Sequence, residues 1–363
     1  MNRRTLLTAA AGAALPVALT GTARAQAMPT ELVIAVVPSE NSSGVVDRMT
    51  PLAAYLTKQT GIKTTLRVAS DYAAVIEGQK AGNIHIGGYG PASYVRAHQQ
   101  SNGNAVAFTT TKSKAGAIGY YSVGYVRADS PYKSIEDLKG KKLGLVDPNS
   151  TSGNFAPRYF MDKQGINPET FFSNVAFTGS HENAVIALKN GTVDMAMNWW
   201  NADGDSNFDR MVNKGMVKKS DVRIIWKSGL LAGSPYAYLS TLPAELKKKI
   251  EDAFYNMHIN DKAMMDKMED GQTEAYVKVT HADYIDTEKM LKFVDVLRRK
   301  SSMEKLPFAA HGFTMYEQAD WEAVLRANGF EPKSTTVLKD TEVEYEGKKY
   351  APESLVAVAV PVS

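Results

Sequence analysis

A two-lobed α/β fold (type II-like), each lobe a mainly parallel sheet flanked by helices and joined by two hinge-crossing segments, is predicted by three observations. Short apolar runs alternate with helical stretches from residue 32 onward, the pattern of parallel strands joined by helical crossovers. The alternation breaks near residue 120 and then restarts, which makes a second α/β unit. After about residue 228 the chain returns to extended structure followed by helices, so it re-enters the first unit. A chain of 363 residues also exceeds one ordinary core, which favours two lobes on size alone.

In the first unit, the run from Leu32 to Val37 is apolar and closed by Pro38, the signature of a buried strand. Pro51–Leu56 lies in a helix that Gly61 ends. A strand at 63–69, a helix at 71–80, a strand at 84–88, a helix at 91–100 and a strand at 105–110 follow. In the second unit, strands are expected at 120–127, 142–146, 174–177, 193–198 and 222–226. Helices are expected at 134–138, with Ser134 as N-cap, and at 154–163, 181–190 and 207–213. Extended structure over 228–240 precedes helices at 243–257, 287–300 and 316–327. The tail at 341–350 alternates around Glu346-Gly347 and predicts a small hairpin. The crossings are placed near Ser122–Val126 and Leu230–Pro235. That divides the chain into a leader at 1–26, one lobe of 27–123 with 233–363, and a second lobe of 124–232.

The leader has the grammar of a secretory signal: Arg3 and Arg4, an uncharged stretch from Leu6 to Thr20, and Ala23-Arg24-Ala25 as an A-x-A cleavage site. About 15 residues are too few for a membrane span, which needs roughly 20. The paired arginines also resemble a twin-arginine signal, so the export route stays open between the two systems. There is no cysteine, which excludes a lipobox, a disulfide framework and thiolate metal sites. A periplasmic protein without a lipid anchor is the expectation. Net charge is +3; the leader holds Arg3, Arg4 and Arg24 and no acid, so the remainder is formally neutral. That argues against a nucleic-acid partner and means that any anion is captured by a local site.

Chemistry concentrates in Asp147-Pro148-Asn149-Ser150-Thr151-Ser152-Gly153-Asn154. Three consecutive hydroxyls sit between a strand and a helix, and Gly153 permits close backbone approach. Free N–H groups and the positive end of the helix dipole bind phosphate-like anions at such a place. A cap alone needs one serine. Pro157 is tolerated in a first helical turn. The segment lacks the spacing and lysine of a nucleotide P-loop. His181 begins another helix, Tyr72 another, and Tyr120 falls at a crossing; taken singly, each reads equally as an ordinary structural residue. Trp199 and Trp200 end a strand where α/β clefts form, and serve as a cleft wall or as core. No nucleophile elbow, H-E-x-x-H or metal-spaced histidine pair occurs, so neither an enzyme, a metal nor a cofactor is called for.

Several segments together resemble the phosphonate/phosphite-binding proteins of ABC transporters. They are Pro51–Leu56, Asp71-Tyr72-Ala-Ala-Val-Ile76, Gly88-Tyr-Gly-Pro-Ala-Ser-Tyr94, Asp147–Gly153, Gly179-Ser-His-Glu182 with Val193-Asp194, and Ile225-Trp-Lys-Ser228. The resemblance implies a hinge-closing, monomeric protein that binds a small phosphorus oxyanion between its lobes and docks on an inner-membrane permease. It assigns the oxyanion to Ser150, Thr151, Ser152, Tyr72, Tyr120 and His181. Relatives that take aminoalkylphosphonates place carboxylates against the ammonium group; here the matching positions fall near Asn201 and Ser234, both neutral. The expected ligand therefore lacks an amine: phosphite, methylphosphonate or a similar phosphonate. Asp203 and Asp205 stand close enough in sequence to substitute, and Trp199 or Trp200 would close the organic side. Aminoethylphosphonate, phosphate, another solute such as a sulfonate or a thiamine precursor, and a sensory ligand-presenting role are the alternatives.

Overall fold

The computed structural model describes residues 28–304 and, beyond them, the strands at 330–339, 343–345, 348–350 and 353–361. The leader and the helix expected at 316–327 lie outside the described residues. Among the described residues no helix is long and apolar enough to cross a membrane.

The first lobe is built from β1 (Leu32–Val36), α1 (Ser42–Thr60), β2 (Thr64–Leu66), α2 (Tyr72–Lys80), β3 (Ile86–Gly88), α3 (Pro91–Gln100) and β4 (Ala105–Ser113). The chain then forms β5 (Tyr121–Arg127), β6 (Lys142–Leu145), a wide π-type turn at Thr151–Phe155 leading into α4 (Ala156–Lys163), and α5 (Pro168–Phe171). The second lobe continues with β7 (Asn174–Phe177), α6 (His181–Lys189), β8 (Met195–Ala202), β9 (Asp205–Ser206), α7 (Asn207–Asn213) and β10 (Val222–Lys227). Returning to the first lobe, it adds β11 (Pro235–Leu239), α8 (Ala244–Tyr255), α9 (Met257–Asn260), α10 (Lys262–Met268), β12 (Thr273–Lys278) and α11 (Ile285–Glu304). Farther on, β13 (Phe330–Lys339) pairs with β16 (Glu353–Pro361), and β14 (Val343–Tyr345) pairs with β15 (Lys348–Tyr350) as the expected hairpin.

The two sheets run β12-β4-β11-β3-β1-β2 and β10-β5-β8-β6-β7, with β9 on the edge of β8. Both are mixed rather than mainly parallel. Strands reached through helical crossovers, β1 with β2 and β3, and β6 with β7 and β8, pair in parallel. Strands β5, β10, β11 and β12 pair antiparallel. The physical reason is that β5 and β11 enter their sheets directly from the other lobe, without the right-handed crossover that a parallel neighbour requires.

Each sheet buries both faces, which is why β1 reads as one continuous apolar run. Leu32, Ile34 and Val36 face α1, α8 and α10, whereas Ala35 faces the core under α2, α3 and α11. That second cluster also contains Phe155 and Ala156 from the other lobe, so a shared apolar seam lies behind the cleft. In the second lobe Val123 and Ala196 face α6 and α7, while Val126, Met195 and Met197 face α4.

The first crossing falls between Ser113 and Tyr121, ahead of its expected place. Ser122–Val126 lies inside β5 and is paired on both sides, with β8 and β10. The return crossing spans 228–234, and the two meet in a single antiparallel bridge: the Tyr120 and Leu231 amides each donate to the other's carbonyl, at 3.1 and 2.8 Å. The short helical turn near Ser134 is a 3-10 turn at Glu136–Leu138, and Ser134 is not its cap; the Asp137 carboxylate instead accepts the Ser134 and Lys133 amides. Gly119 adopts φ +147°, and a Cβ there would lie 2.5 Å from the Leu231 carbonyl oxygen. Gly119→Ala is therefore expected to lower unfolding free energy by about 1–3 kcal/mol, read as a shift of the urea midpoint at constant slope.

Candidate functional site

Four helix starts converge on the space between the lobes. Asp71 caps α2 by accepting the Ala74 amide at 2.8 Å, which puts Tyr72 at the first helical position. Gly90 precedes α3 without a side-chain cap, and Pro91 opens that helix. Ser150 caps the π-type turn, its Oγ accepting the Gly153 amide at 3.0 Å. Ser180 caps α6 in the same way through the Asn183 amide at 3.1 Å, which places His181 first in that helix. The helix expected at 154–163 thus starts earlier, at Thr151. Its wide turn leaves the Thr151 and Ser152 amides ahead of the first intrahelical bond, the arrangement that favours an anion. A Cβ at Gly153 would collide with the Val146 side chain and the Ser150 hydroxyl.

The six residues assigned to the oxyanion line one cavity of about 430 Å³, and Trp199, Asn201, Asp205 and Ser234 line it as well. Ser150, Thr151, Ser152 and His181 are almost fully buried, at 2, 2, 2 and 3% exposure. The hydroxyls are arranged as donors. Ser150 Oγ accepts Gly153, and Thr151 Oγ1 accepts the Ala92 amide at 2.8 Å from across the cleft, so their protons are free to point at a ligand. The Tyr72 hydroxyl lies near Ser150, and the Tyr120 hydroxyl near Thr151, Ser152 and Ser234. Burial pushes the Tyr72 phenol well up and that of Tyr120 up to about 12, so both stay protonated donors.

His181 is neutral for the same reason: burial lowers it to about 3, only partly offset by Asn198. Its Nδ1 has no partner among the described residues, a buried polar atom that calls for one. The oxyanion pole therefore consists of neutral donors and helix N-termini, with no side-chain cation among the assigned residues. Such a pole holds an anion without the desolvation cost of a buried ion pair.

The remaining predictions separate by strand geometry. Adjacent residues of β8 point to opposite faces, so Trp199 and Asn201 reach the cavity and Trp200 does not. Trp200 packs with Tyr121 under the Lys227 ammonium, 3.9 Å above its ring. Asp203 is exposed in the turn between β8 and β9, away from the lining. Asp205 returns on β9; its carboxylate accepts the Asn201 amide at 2.9 Å, and burial raises its pKa despite the nearby Arg210 charge. Ser234, expected opposite a ligand amine, stands beside the Tyr120 hydroxyl at the oxyanion pole.

Sequence reasoning missed the far wall, where Arg48, Arg210 and Glu269 also line the cavity. Arg210 stacks 4.8 Å over the Trp199 ring and pairs with Asp270 of the other lobe. Burial raises Glu269, against the opposing pull of Arg48 and Arg210. These residues carry no local signal, because each reads as an ordinary charged residue on a helix or loop.

A hinged cleft between two α/β lobes, floored by neutral anion donors, defines a solute-binding protein. The family described as ABC transporter, phosphonate, periplasmic substrate-binding protein matches residues 34–284, and this chain belongs to it. The phosphate-import protein PhnD of Mycolicibacterium smegmatis is 34% identical over 242 residues, covering 63% of this chain and 73% of the relative. The phosphonates-binding periplasmic protein of Escherichia coli is 30% identical over 253 residues, covering 68% and 72%. PhnD1 of Prochlorococcus marinus, solved in complex with methylphosphonate, shares the fold with a TM-score of 0.64 at 18% identity, covering 73% of this chain and 98% of that one. The chain is thus a transport component that binds a small ligand for a membrane permease, and not an enzyme.

The buried histidine makes the site acid-sensitive. The unfolded chain takes up a proton at His181 as pH falls through about 6.5, whereas the folded protein resists protonation down to about 3. Stability from this residue is complete above 6.5 and is lost as pH falls towards 3. Between pH 7 and 4.5 the wild type is expected to lose on the order of 2–3 kcal/mol more than His181→Gln, measured by urea denaturation at both pH values.

Proposed function

We propose that this protein captures a small phosphonate with an amine-free substituent, methylphosphonate or a close analogue, and presents it to the permease of an importer. The observation that carries the reading is the two-ended cavity. One end is the donor cluster of Ser150, Thr151, Ser152, Tyr72, Tyr120 and His181; the other is open space beside Trp199 and Asn201. A cavity of about 430 Å³ leaves room beside a tetrahedral oxyanion for an organic substituent. Neutral residues at Asn201 and Ser234 favour a substituent without an ammonium group. Export through the leader at 1–26, and action as a monomer on one permease, belong to the same reading.

A second reading has one observation behind it: Asp205 faces the cavity and takes its only hydrogen bond among the described contacts from a neutral amide. An aminoalkylphosphonate would supply it with a cation. Asp205 already lies under the Arg210 charge, which is why the amine-free ligand is preferred.

Calorimetric titration with methylphosphonate, aminoethylphosphonate, phosphite, phosphate and sulfate decides between them. Methylphosphonate is expected to bind most tightly and sulfate not at all. Tighter binding of aminoethylphosphonate, abolished in Asp205→Asn, would establish the second reading. The Ser150→Ala/Thr151→Ala double variant is expected to bind methylphosphonate roughly 10²- to 10⁴-fold more weakly, two charged hydrogen bonds of about 1.5–3 kcal/mol each being removed. Its circular dichroism should be that of the wild type; unchanged affinity would remove the site assignment.

A further inference from the structure

We propose that Lys214 is a positioning residue for capture: without touching the ligand, it clasps the two lobes together over it. Lys214 follows α7 in the second lobe. Its Nζ donates to Glu40 Oε2 of the first lobe at 2.6 Å and to Glu182 Oε1 of its own lobe at 2.9 Å. The two carboxylates are 4% and 3% exposed, so the bridge joins two buried anions through one cation at the edge of the cleft.

The clasp grips a defined piece of backbone. Successive residues of the loop between β1 and α1 each make one contact with the second lobe: the Ser39 carbonyl accepts the His181 amide at 3.2 Å, Glu40 accepts Lys214, and the Asn41 amide donates to Glu182 Oε2 at 2.9 Å. All are made to the first turn of α6 or to the lysine bound to it. That turn carries His181, whose ring faces the cavity. A ligand that engages His181 orders the same turn on which the clasp closes, and this inference rests on the assignment of His181 to the oxyanion site.

The charge arrangement makes the contact reversible. When the lobes part, Glu182 retains Lys214, which belongs to its own lobe. Glu40 retains Arg48, whose Nε donates to it at 2.7 Å. No buried carboxylate is orphaned on opening, so the clasp does not lock the protein shut. Gly44, at the start of α1, completes the fit: a Cβ there would lie 2.6 Å from Glu40 Oε2 and 3.0 Å from Lys214 Nζ. The clasp stabilises the closed arrangement with or without ligand, and its effect on binding falls mainly on the rate of escape. Lys214 is 36% exposed, and the resulting screening limits its effect to about tenfold.

The test is stopped-flow dissociation of the phosphonate that the wild type binds, with Lys214→Met and Lys214→Arg. Lys214→Met is expected to dissociate about tenfold faster with little change in association rate, and to melt lower without ligand because Glu182 loses its cation. Lys214→Arg should recover most of the difference. An unaltered dissociation rate in Lys214→Met, or a faster one that Lys214→Arg does not recover, overturns the clasp. Small-angle scattering separates this result from the ligand assignment. If the wild type binds no phosphorus oxyanion, the functional reading fails, and the clasp is then decided by the ligand-free proteins: a larger radius of gyration in Lys214→Met supports it and an equal one removes it.

Discussion

The Thr151 hydroxyl accepts the backbone amide of Ala92 from the opposite lobe, and much of the site depends on that bond. It places the hydroxyl-bearing turn of one lobe against the start of α3 in the other, and it leaves the Thr151 proton available for donation. Gly90 suits the close approach, since a Cβ there would lie 3.0 Å from the Thr151 oxygen. The Tyr72 amide meets the Asp147 carboxylate across the same boundary, and the Tyr72 hydroxyl reaches Ser150. The proposed oxyanion pole is thus assembled from both lobes, and in that reading binding and closure are coupled.

An anion held this way needs donors whose charge state does not vary. Burial achieves that by different routes for different groups: it raises the tyrosines, so they keep their protons, and it lowers His181, so it stays neutral. The full charges are set back from the oxyanion pole, at the far wall and at the mouth of the cleft. There Arg210 with Asp270 and Lys214 with Glu40 connect the lobes. In the proposed reading neutral donors recognise the ligand, while these ion pairs connect the lobes.

The chain also shows how one local rule yields different outcomes in neighbouring positions. Trp199 and Trp200 are the same residue type at the end of one strand, yet the pleat sends the first to the cavity and the second against Lys227. Asp203 and Asp205 differ likewise, because the β8–β9 turn exposes one and returns the other to Asn201.

Sequence by itself determined the alternation of strands and helices, the re-entry of the chain into its first lobe, and the hydroxyl-bearing turn at Ser150–Gly153. These are encoded in side-chain period, in N-cap residues such as Asp71, Ser150 and Ser180, and in glycine placement, all of which act over a few residues. Tertiary structure decided the mixed strand directions, the hinge ahead of Tyr121, and the move of Ser234 to the oxyanion pole. It also decided the far wall of Arg48, Arg210 and Glu269 and the contact of Lys214 with Glu40. Each of these joins residues far apart in sequence through the docking of one lobe on the other, and no local periodicity records where a long-range partner will stand.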